Sequence, residues 1–321
     1  MTDQDPQSPR VAVLMATFQA GEDLMPQLQS LLEQSLKPAR IVISDDGSTD
    51  GTRARLKSFA AQAGRDGIAV TVIDGPRRGA SANFLHLLGR PEAAAVDYVA
   101  LADQDDIWLP DKLRQAADLL APHGSAPALL GTRSWEWDSA TGRRHLSRPV
   151  PGPHDFRHAL VQNFAGGNTM VLNRAGMALV QRAVPRVRDV AVHDWWLYQL
   201  ISGAGGTILF GQEPRILYRQ HPGNQIGANR GLGSKLARFV AMLRGTYRHW
   251  NDLNVAALMA NADLLTDDAR ALLERFARDR QGGIARPPGA LARDGAASQG
   301  ADQSRHAVAG GAAEAAVKNR L

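Results

Sequence analysis

The sequence contains no cysteine, which excludes disulfide staples, thiolate metal sites and a thiol nucleophile. No run of about 18 apolar residues occurs, the length a helix needs to cross a bilayer. The opening MTDQDPQSPR also lacks the basic-then-apolar pattern of a secretory leader. The expectation is a cytoplasmic protein that at most rests on the inner face of the plasma membrane. Charge of one sign is not concentrated: 37 lysines and arginines stand against 32 acidic residues, and the formal net charge of +5 is spread without a long basic block. That balance argues for no nucleic-acid partner and suits an anionic small molecule or membrane surface. Internal repeats are absent as well. What is present is a chain of 321 residues with 44% hydrophobic content, enough for one substantial core of α/β size.

Residues 11 to 134 alternate short apolar runs with helical patterns. VAVLMAT (Val11 to Thr17), RIVIS (Arg40 to Ser44), IAVTVI (Ile68 to Ile73), YVALA (Tyr98 to Ala102) and ALLGT (Ala128 to Thr132) read as strands buried on both faces. Between them, one helical stripe is formed by Leu24, Leu28, Leu31 and Leu32, and another by Leu56, Phe59 and Ala60. A third runs through Leu113, Ala116, Ala117 and Leu120, with Pro110 at its first helical position. Strand–helix alternation of this kind predicts a Rossmann-like, mostly parallel sheet flanked by helices. Further on, HDFRHALVQNF and HDWWLYQLI suit helices, and NTMVLN, GTILF and RILYR suit strands. From Ser234 to about Arg280 the pattern is helical, with Leu236, Phe239, Val240 and Leu243 on one stripe; the last forty residues, rich in Ala, Gly, Gln and Arg, predict a disordered tail.

Mostly parallel sheets bind ligands where the carboxyl ends of the strands open into a crevice. Four successive strand exits here are polar: TFQAG, DDGSTDGT, DGPRRGASANF and DQDDIW. In DQDD, Asp103 and Asp105 are alternate residues leaving a strand and can point to one side, offering the hard carboxylate oxygens that Mg²⁺ or Mn²⁺ prefers. The plainer reading is a capped turn, with Asp106 or Asp111 stabilising a helix start. In SDDGSTDGT, Asp45 or Asp46 can accept from the imide N–H of uracil or thymine, while Ser48, Thr49 or Asp50 caps the next helix. A carboxylate after a buried strand also fits a phosphohydrolase using Asp45 and Asp46, although that chemistry wants Asp-x-Asp and these two are adjacent. Gly166 and Gly167 permit close backbone approach, and Asn168 can bond a hydroxyl. Arg219 suits a diphosphate and His221 suits a diphosphate or the metal shell.

Taken together, VLMATFQAGEDLMPQLQSLLEQSLKPARIVISDDGSTDGT, GASANFLHLL, ALADQDDIWLPDKL, GGNTMVLNR, HDWWLYQLISGAGGTILF and ILYRQHPGNQIG resemble the family-2 glycosyltransferases, inverting enzymes of the GT-A fold. More narrowly they resemble the bacterial rhamnosyltransferase-like branch. The resemblance runs in order from about Val11 to Gly227. It implies a DXD motif at Asp103-Gln104-Asp105, with Asp105 as principal metal ligand and Asp103 near ribose or metal. It also implies a pyrimidine contact by Asp46, with Thr17 lining the nucleotide pocket and Arg77 over base or pyrophosphate. Asp194 becomes the general base, beside a histidine, His193, where the family often has glutamate. Trp195 and Trp196 offer a stacking face for an acceptor sugar, with one of them in the core. The chain departs from the family at Phe18-Gln19, where an aromatic and an asparagine are usual.

The implied organisation is a flexible stretch over 1–10 and a GT-A domain over 11–230, divided into a nucleotide-binding half (11–134) and an acceptor and catalytic half (135–230). A helical extension over 231–280 and a disordered tail over 281–321 follow. The implied reaction is metal-dependent, inverting transfer of a sugar from a dTDP-, UDP- or GDP-sugar, with L-rhamnose from dTDP-rhamnose foremost. The acceptor is a hydroxyl of a bacterial cell-surface glycan or of a lipid-linked precursor. Lys235, Arg238, Arg244, Arg248 and Trp250 make peripheral membrane contact one option. The alternatives are the phosphohydrolase and a catalytically inactive glycan-binding homologue.

Overall fold

The computed structural model describes residues 8–220 and 246–281. His221, Lys235, Arg238, Arg244, the stripe Leu236, Phe239, Val240 and Leu243, residues 1–7 and the tail from 282 lie outside the described residues. The chain divides into two compact units, Met1–Glu274 and Arg275–Leu321; of the second, residues 275–281 are described and are helical.

The first unit opens with β1 (Val11–Thr17), α1 (Leu24–Leu32), β2 (Arg40–Asp45), α2 (Thr52–Arg65), β3 (Ala69–Asp74) and α3 (Ala80–Leu88). Then come β4 (Tyr98–Ala102), β5 (Ile107–Trp108), α4 (Lys112–Leu120), β6 (Ala128–Thr132), β7 (Trp135–Trp137) and β8 (Arg144–Leu146). The chain continues through α5 (Phe156–Ala159), β9 (Val171–Asn173), α6 (Arg174–Ala183), α7 (His193–Gly203), β10 (Thr207–Gly211) and β11 (Ile216–Arg219). Two more helices, Thr246–Met259 and Asp267–Gln281, complete the described residues, and no described helix is long and apolar enough to cross a membrane.

Seven strands form the main sheet in the order β10-β6-β9-β4-β1-β2-β3, with β9 antiparallel to β4 and β6 and every other pair parallel. In β1, Val11, Val13 and Met15 face one side and Ala12 and Leu14 the other, and all five are buried. Both faces are therefore covered, as a near-continuous apolar run requires. The leucine stripe of α1 (Leu24, Leu28, Leu31) is fully buried, each side chain contributing about 2 kcal/mol of transfer free energy. A second, four-stranded sheet, β5-β11-β7-β8, stands beside the exit of β4, since β5 leaves the acidic turn directly and pairs antiparallel with β11.

Several local expectations are corrected. IAVTVI is not buried on both faces: β3 is an edge strand with one neighbour, and its residues are exposed or half-buried. In α2 the buried stripe is Leu56, Phe59 and Ala63, with Ala60 only half-buried. The α2 N-cap is Gly51, at φ 89°, rather than Ser48, Thr49 or Asp50. Asp50 still serves that helix start by accepting from Thr52 N at 3.1 Å and Thr52 Oγ1 at 2.6 Å. α4 begins at Lys112, so Pro110 lies in the preceding turn. HDFRHALVQNF yields one helical turn, capped by Asp155 accepting from His158 N at 2.9 Å. α6 carries no stripe recognised in the sequence; Asn173 caps it by accepting from Gly176 N.

Gly131 on β6 lets the segment after α5 close on the sheet. A Cβ there would stand 2.5 Å from Ala165 Cβ and 2.8 Å from Phe164 Cε2. Gly131→Ala is expected to cost about 1–3 kcal/mol through overpacking, read as a lowered Tm.

Candidate active site

Two strand exits form one hydrogen-bonded unit. Thr17 Oγ1, at the end of β1, donates to Asp45 Oδ1 at 3.1 Å, and Asp45 also accepts from Ser48 Oγ at 2.6 Å and Ser48 N at 3.0 Å. Asp46 turns the other way: its carboxylate accepts from the backbone N–H of Arg77 at 2.6 Å and of Gly79 at 2.8 Å. It thereby ties the exit of β2 to the loop after β3. Arg77 holds φ 57° there, with its side chain against Gly47. Gln19 stands where the family has asparagine. It bonds Thr49 through both ends of its amide and donates its N–H to Ser48 Oγ.

The acidic turn after β4 is held from below by polar side chains on α1 and just after its end. Gln27 donates to the Asp103 carbonyl at 3.1 Å, Ser30 Oγ accepts from Trp108 N at 3.0 Å, and Gln34 donates to the Leu109 carbonyl at 2.9 Å. Gln104 clamps the neighbouring exit, accepting from Phe18 N at 2.7 Å and donating to the Phe18 carbonyl at 3.1 Å. Asp103 is half-buried, and burial together with the charges of Asp105 and Asp194 raises its pKa to about 7. Asp106 is fully buried and pushed well above the usual carboxylate range, by burial first and then by Asp103 and Asp105. It is not the cap of a helix. It accepts from Asn168 Nδ2 at 2.7 Å and Arg219 N at 3.3 Å, and so joins the turn to the Gly166–Thr169 segment and to β11. Asp111 is the N-cap residue of α4 without a side-chain capping bond, and accepts instead from Ser35 Oγ.

Arg219 is buried. It donates Nε–H to the Asp105 carbonyl at 2.8 Å, pairs with Asp23 at 3.4 Å and stacks 4.6 Å over Trp137. Lys112 is buried 4.1 Å over the Trp108 ring; desolvation lowers its pKa to about 7 against the opposing pull of Asp106. Both cations therefore lie against the acidic turn, where they offset part of its charge.

Asp194 opens α7 and is buried, its Oδ2 accepting from Gly167 N at 2.8 Å and its Oδ1 from Trp195 N at 2.6 Å. Burial raises its pKa to about 6 against these bonds and one from Asn163. His193 stacks on Phe84, ring centroids 3.9 Å apart, and desolvation takes its pKa down to about 3. A neutral imidazole stacked on an aromatic ring, with both nitrogens buried, is a poor proton acceptor. Trp195 and Trp196 are both core residues, which corrects the expected stacking face: α7 is buried nearly all round.

Asp103, Asp105 and Asp194 thus share one electrostatic neighbourhood, Asn168 and Arg219 frame it through Asp106, and Thr17, Asp46 and Arg77 line the adjoining exits. Tyr218 was missed by the sequence reading. On β11, its hydroxyl is pushed upward by burial and then by Asp103, Asp106, Asp105 and Asp194 together, within electrostatic reach of the acidic turn and of Asp194. Gln27 and Ser30 on α1, and Gln34 just after it, were missed too; the local trace is a polar i, i+3 pair beside the leucine stripe, which does not name their distant partners. Among the described residues no set of three His, Asp or Glu is arranged to hold a metal. Asp103 and Asp105 still supply the hard oxygen donors that Mg²⁺ or Mn²⁺ takes with water and phosphates, and their repulsion is what a divalent cation would relieve.

A mostly parallel sheet with carboxylates at the exits of β2 and β4, closed by an acid-bearing helix, is the framework of a GT-A glycosyltransferase. The chain belongs to glycosyl transferase family 2, whose family model matches residues 12–184. It is 28% identical over 240 residues to the dTDP-rhamnosyl transferase RfbG of Shigella flexneri, covering 73% of this chain and 81% of that protein. Among solved structures, S. aureus TarS 1–349 in complex with UDP-GlcNAc aligns with a TM-score of 0.50 at 15% identity, covering 84% of this chain and 88% of that one. A mannosyltransferase from Pyrobaculum calidifontis in complex with GDP-Man and Mn²⁺ aligns with a TM-score of 0.46 at 18% identity, covering 91% and 81%.

Proposed function

We propose that this glycosyltransferase transfers a sugar, L-rhamnose from dTDP-rhamnose foremost, to a hydroxyl of a bacterial cell-surface glycan or lipid-linked acceptor, with inversion at the anomeric carbon. The observation that carries the reading is that Gly167 N–H donates to Asp194 at 2.8 Å while its neighbour Asn168 donates to Asp106 at 2.7 Å, which ties the α7 carboxylate to the acidic turn after β4. The choice of donor is supported by the likeness to the rhamnosyl transferase.

In this reading the acceptor oxygen attacks the anomeric carbon as the bond to the diphosphate breaks, and the leaving electron pair stays on the diphosphate. The acceptor proton passes to Asp194, which Gly167 N–H and Trp195 N–H hold in a fixed orientation. Asp103 and Asp105, with His221 as the third candidate, would hold Mg²⁺ or Mn²⁺. The cation would neutralise charge developing on the departing diphosphate. Asp46 and Thr17 would meet the pyrimidine side, Arg77 the base or pyrophosphate, and Asn168 and Arg219 the sugar and diphosphate.

A general base must be ionised to work. With Asp194 raised to about 6 in the free enzyme, kcat/KM is expected to be flat near neutrality and to fall as pH drops through about 6. A pH–rate profile checks this limb. The phosphohydrolase reading is disfavoured because Asp45, its nucleophile, has a buried side chain with both oxygens engaged. Calorimetry with dTDP-, UDP- and GDP-sugars plus Mg²⁺ or Mn²⁺ tests the assignment. Binding of at least one donor is expected, and binding of none would sink it. A binding-only homologue would hold donor yet never turn it over.

A further inference from the structure

We propose that His193 is a positioning residue for the Asp194 carboxylate, its ring packed against Phe84 and the backbone of Gly167. The inference rests on the reading of Asp194 as the general base.

His193 is 7% exposed, and both of its ring nitrogens are buried without a hydrogen-bond partner among the described residues. An orphaned polar pair of this kind is disfavoured in a core. One flank of the ring lies nearly parallel to Phe84, at 18° and 3.9 Å. Its Nε2–Cε1 edge meets Gly167 so closely that a Cβ there would stand 2.5 Å from Nε2 and 3.2 Å from Asp194 Cβ. Gly167 is also the residue whose N–H donates to Asp194 Oδ2. The same segment continues into Asn168, whose amide holds Asp106 under the acidic turn.

The ring therefore fixes one of the two backbone N–H groups that orient the base, and α3 supplies the surface it rests on. Asn83, one residue before Phe84, anchors that helix by donating to the Ser44 carbonyl at 2.9 Å. Neither nitrogen reaches solvent, so the ring takes no proton from an acceptor and touches no donor phosphate. Its neutrality has a use: an imidazolium beside Asp194 would depress the carboxylate and weaken it as a base. Asp194 lies within electrostatic reach of Asp103 in the acidic turn and of the Tyr218 hydroxyl on β11, groups that substitution of His193 leaves in place.

The test compares His193→Ala, which empties the wedge, with His193→Leu, which refills most of it without nitrogens. His193→Ala is expected to lower kcat roughly 100-fold, the scale of a small misplacement of a reacting group, with donor KM changed less than about 3-fold. Water reaching Asp194 should move the acid limb of the pH profile from about 6 toward the ordinary carboxylate value. His193→Leu should recover most of kcat and keep the limb near its original pH. If Leu is as inactive as Ala, the nitrogens matter and the proposal fails. If both variants keep wild-type kcat and lose only Tm, the ring is packing alone and the proposal also fails. Should His193→Ala not fold, Gly167→Ala, which pushes the ring and backbone apart, is expected to give the same kcat loss and limb shift, and wild-type kinetics there would overturn it. An active Asp194→Asn would instead remove the reading of Asp194 itself.

Discussion

Asp194→Asn is expected to lower kcat about 10³-fold, within the range a positioned general base supplies, while donor affinity stays within a few-fold of wild type. The substitution is nearly isosteric. An asparagine oxygen can still accept from Gly167 N–H, so the link to the Gly166–Thr169 segment is retained, and only the bond from Trp195 N–H is given up beside the lost proton acceptor. The acceptor hydroxyl then has no group to take its proton as the glycosidic bond forms. Rapid-quench measurement of a single turnover, beside calorimetry for the donor, separates the two effects. A loss of donor affinity as large as the loss of rate would assign Asp194 to binding.

Asp105→Asn is expected to reduce kcat/KM by about 10²–10³, the cost of losing one preorganised contact to developing charge, and to raise the Mg²⁺ or Mn²⁺ concentration needed for half-maximal donor binding. Chelation of the wild-type enzyme with EDTA should reproduce the loss, and added metal should reverse it. The physical basis is the uncompensated charge of the turn: burial and the carboxylates of Asp105 and Asp194 raise Asp103 to about 7. Removing the Asp105 charge relaxes Asp103 toward its ordinary value and, in the proposed reading, would deprive the cation of a ligand. The same variant therefore leaves the turn more stable and the enzyme less active, a combination that a purely structural acidic turn would not give.

How far the sequence could be read depended on which interactions a period can carry. The buried strands β1, β2, β4 and β6 were legible because continuous apolar runs have few alternatives, and the resemblance across six ordered segments carried the family. β3 was misjudged because its valines and isoleucine look the same on an edge as in a centre. The two-tryptophan face was misjudged because α7 is buried nearly all round, and such a helix has no stripe to show which side is wet. In the site, the acidic turn stood out as charge at the exit of a buried strand, and Asp194 came with the family resemblance. The residues that hold them did not. Gln27, Ser30, Gln34 and Gln104 act through bonds to backbone groups 75 to 86 residues away, and no local pattern encodes such partners. Tyr218 sits on a strand whose neighbours are fixed only when β11 pairs with β5 and β7.

NMR spectroscopy of the product formed from dTDP-rhamnose, metal and a hydroxyl acceptor reads the chemistry most directly. One-step attack assisted by Asp194 gives a transferred sugar whose anomeric configuration is opposite to that in the donor. Retention of configuration, or release of phosphate from simple esters with no sugar transferred from any nucleotide donor, would contradict it.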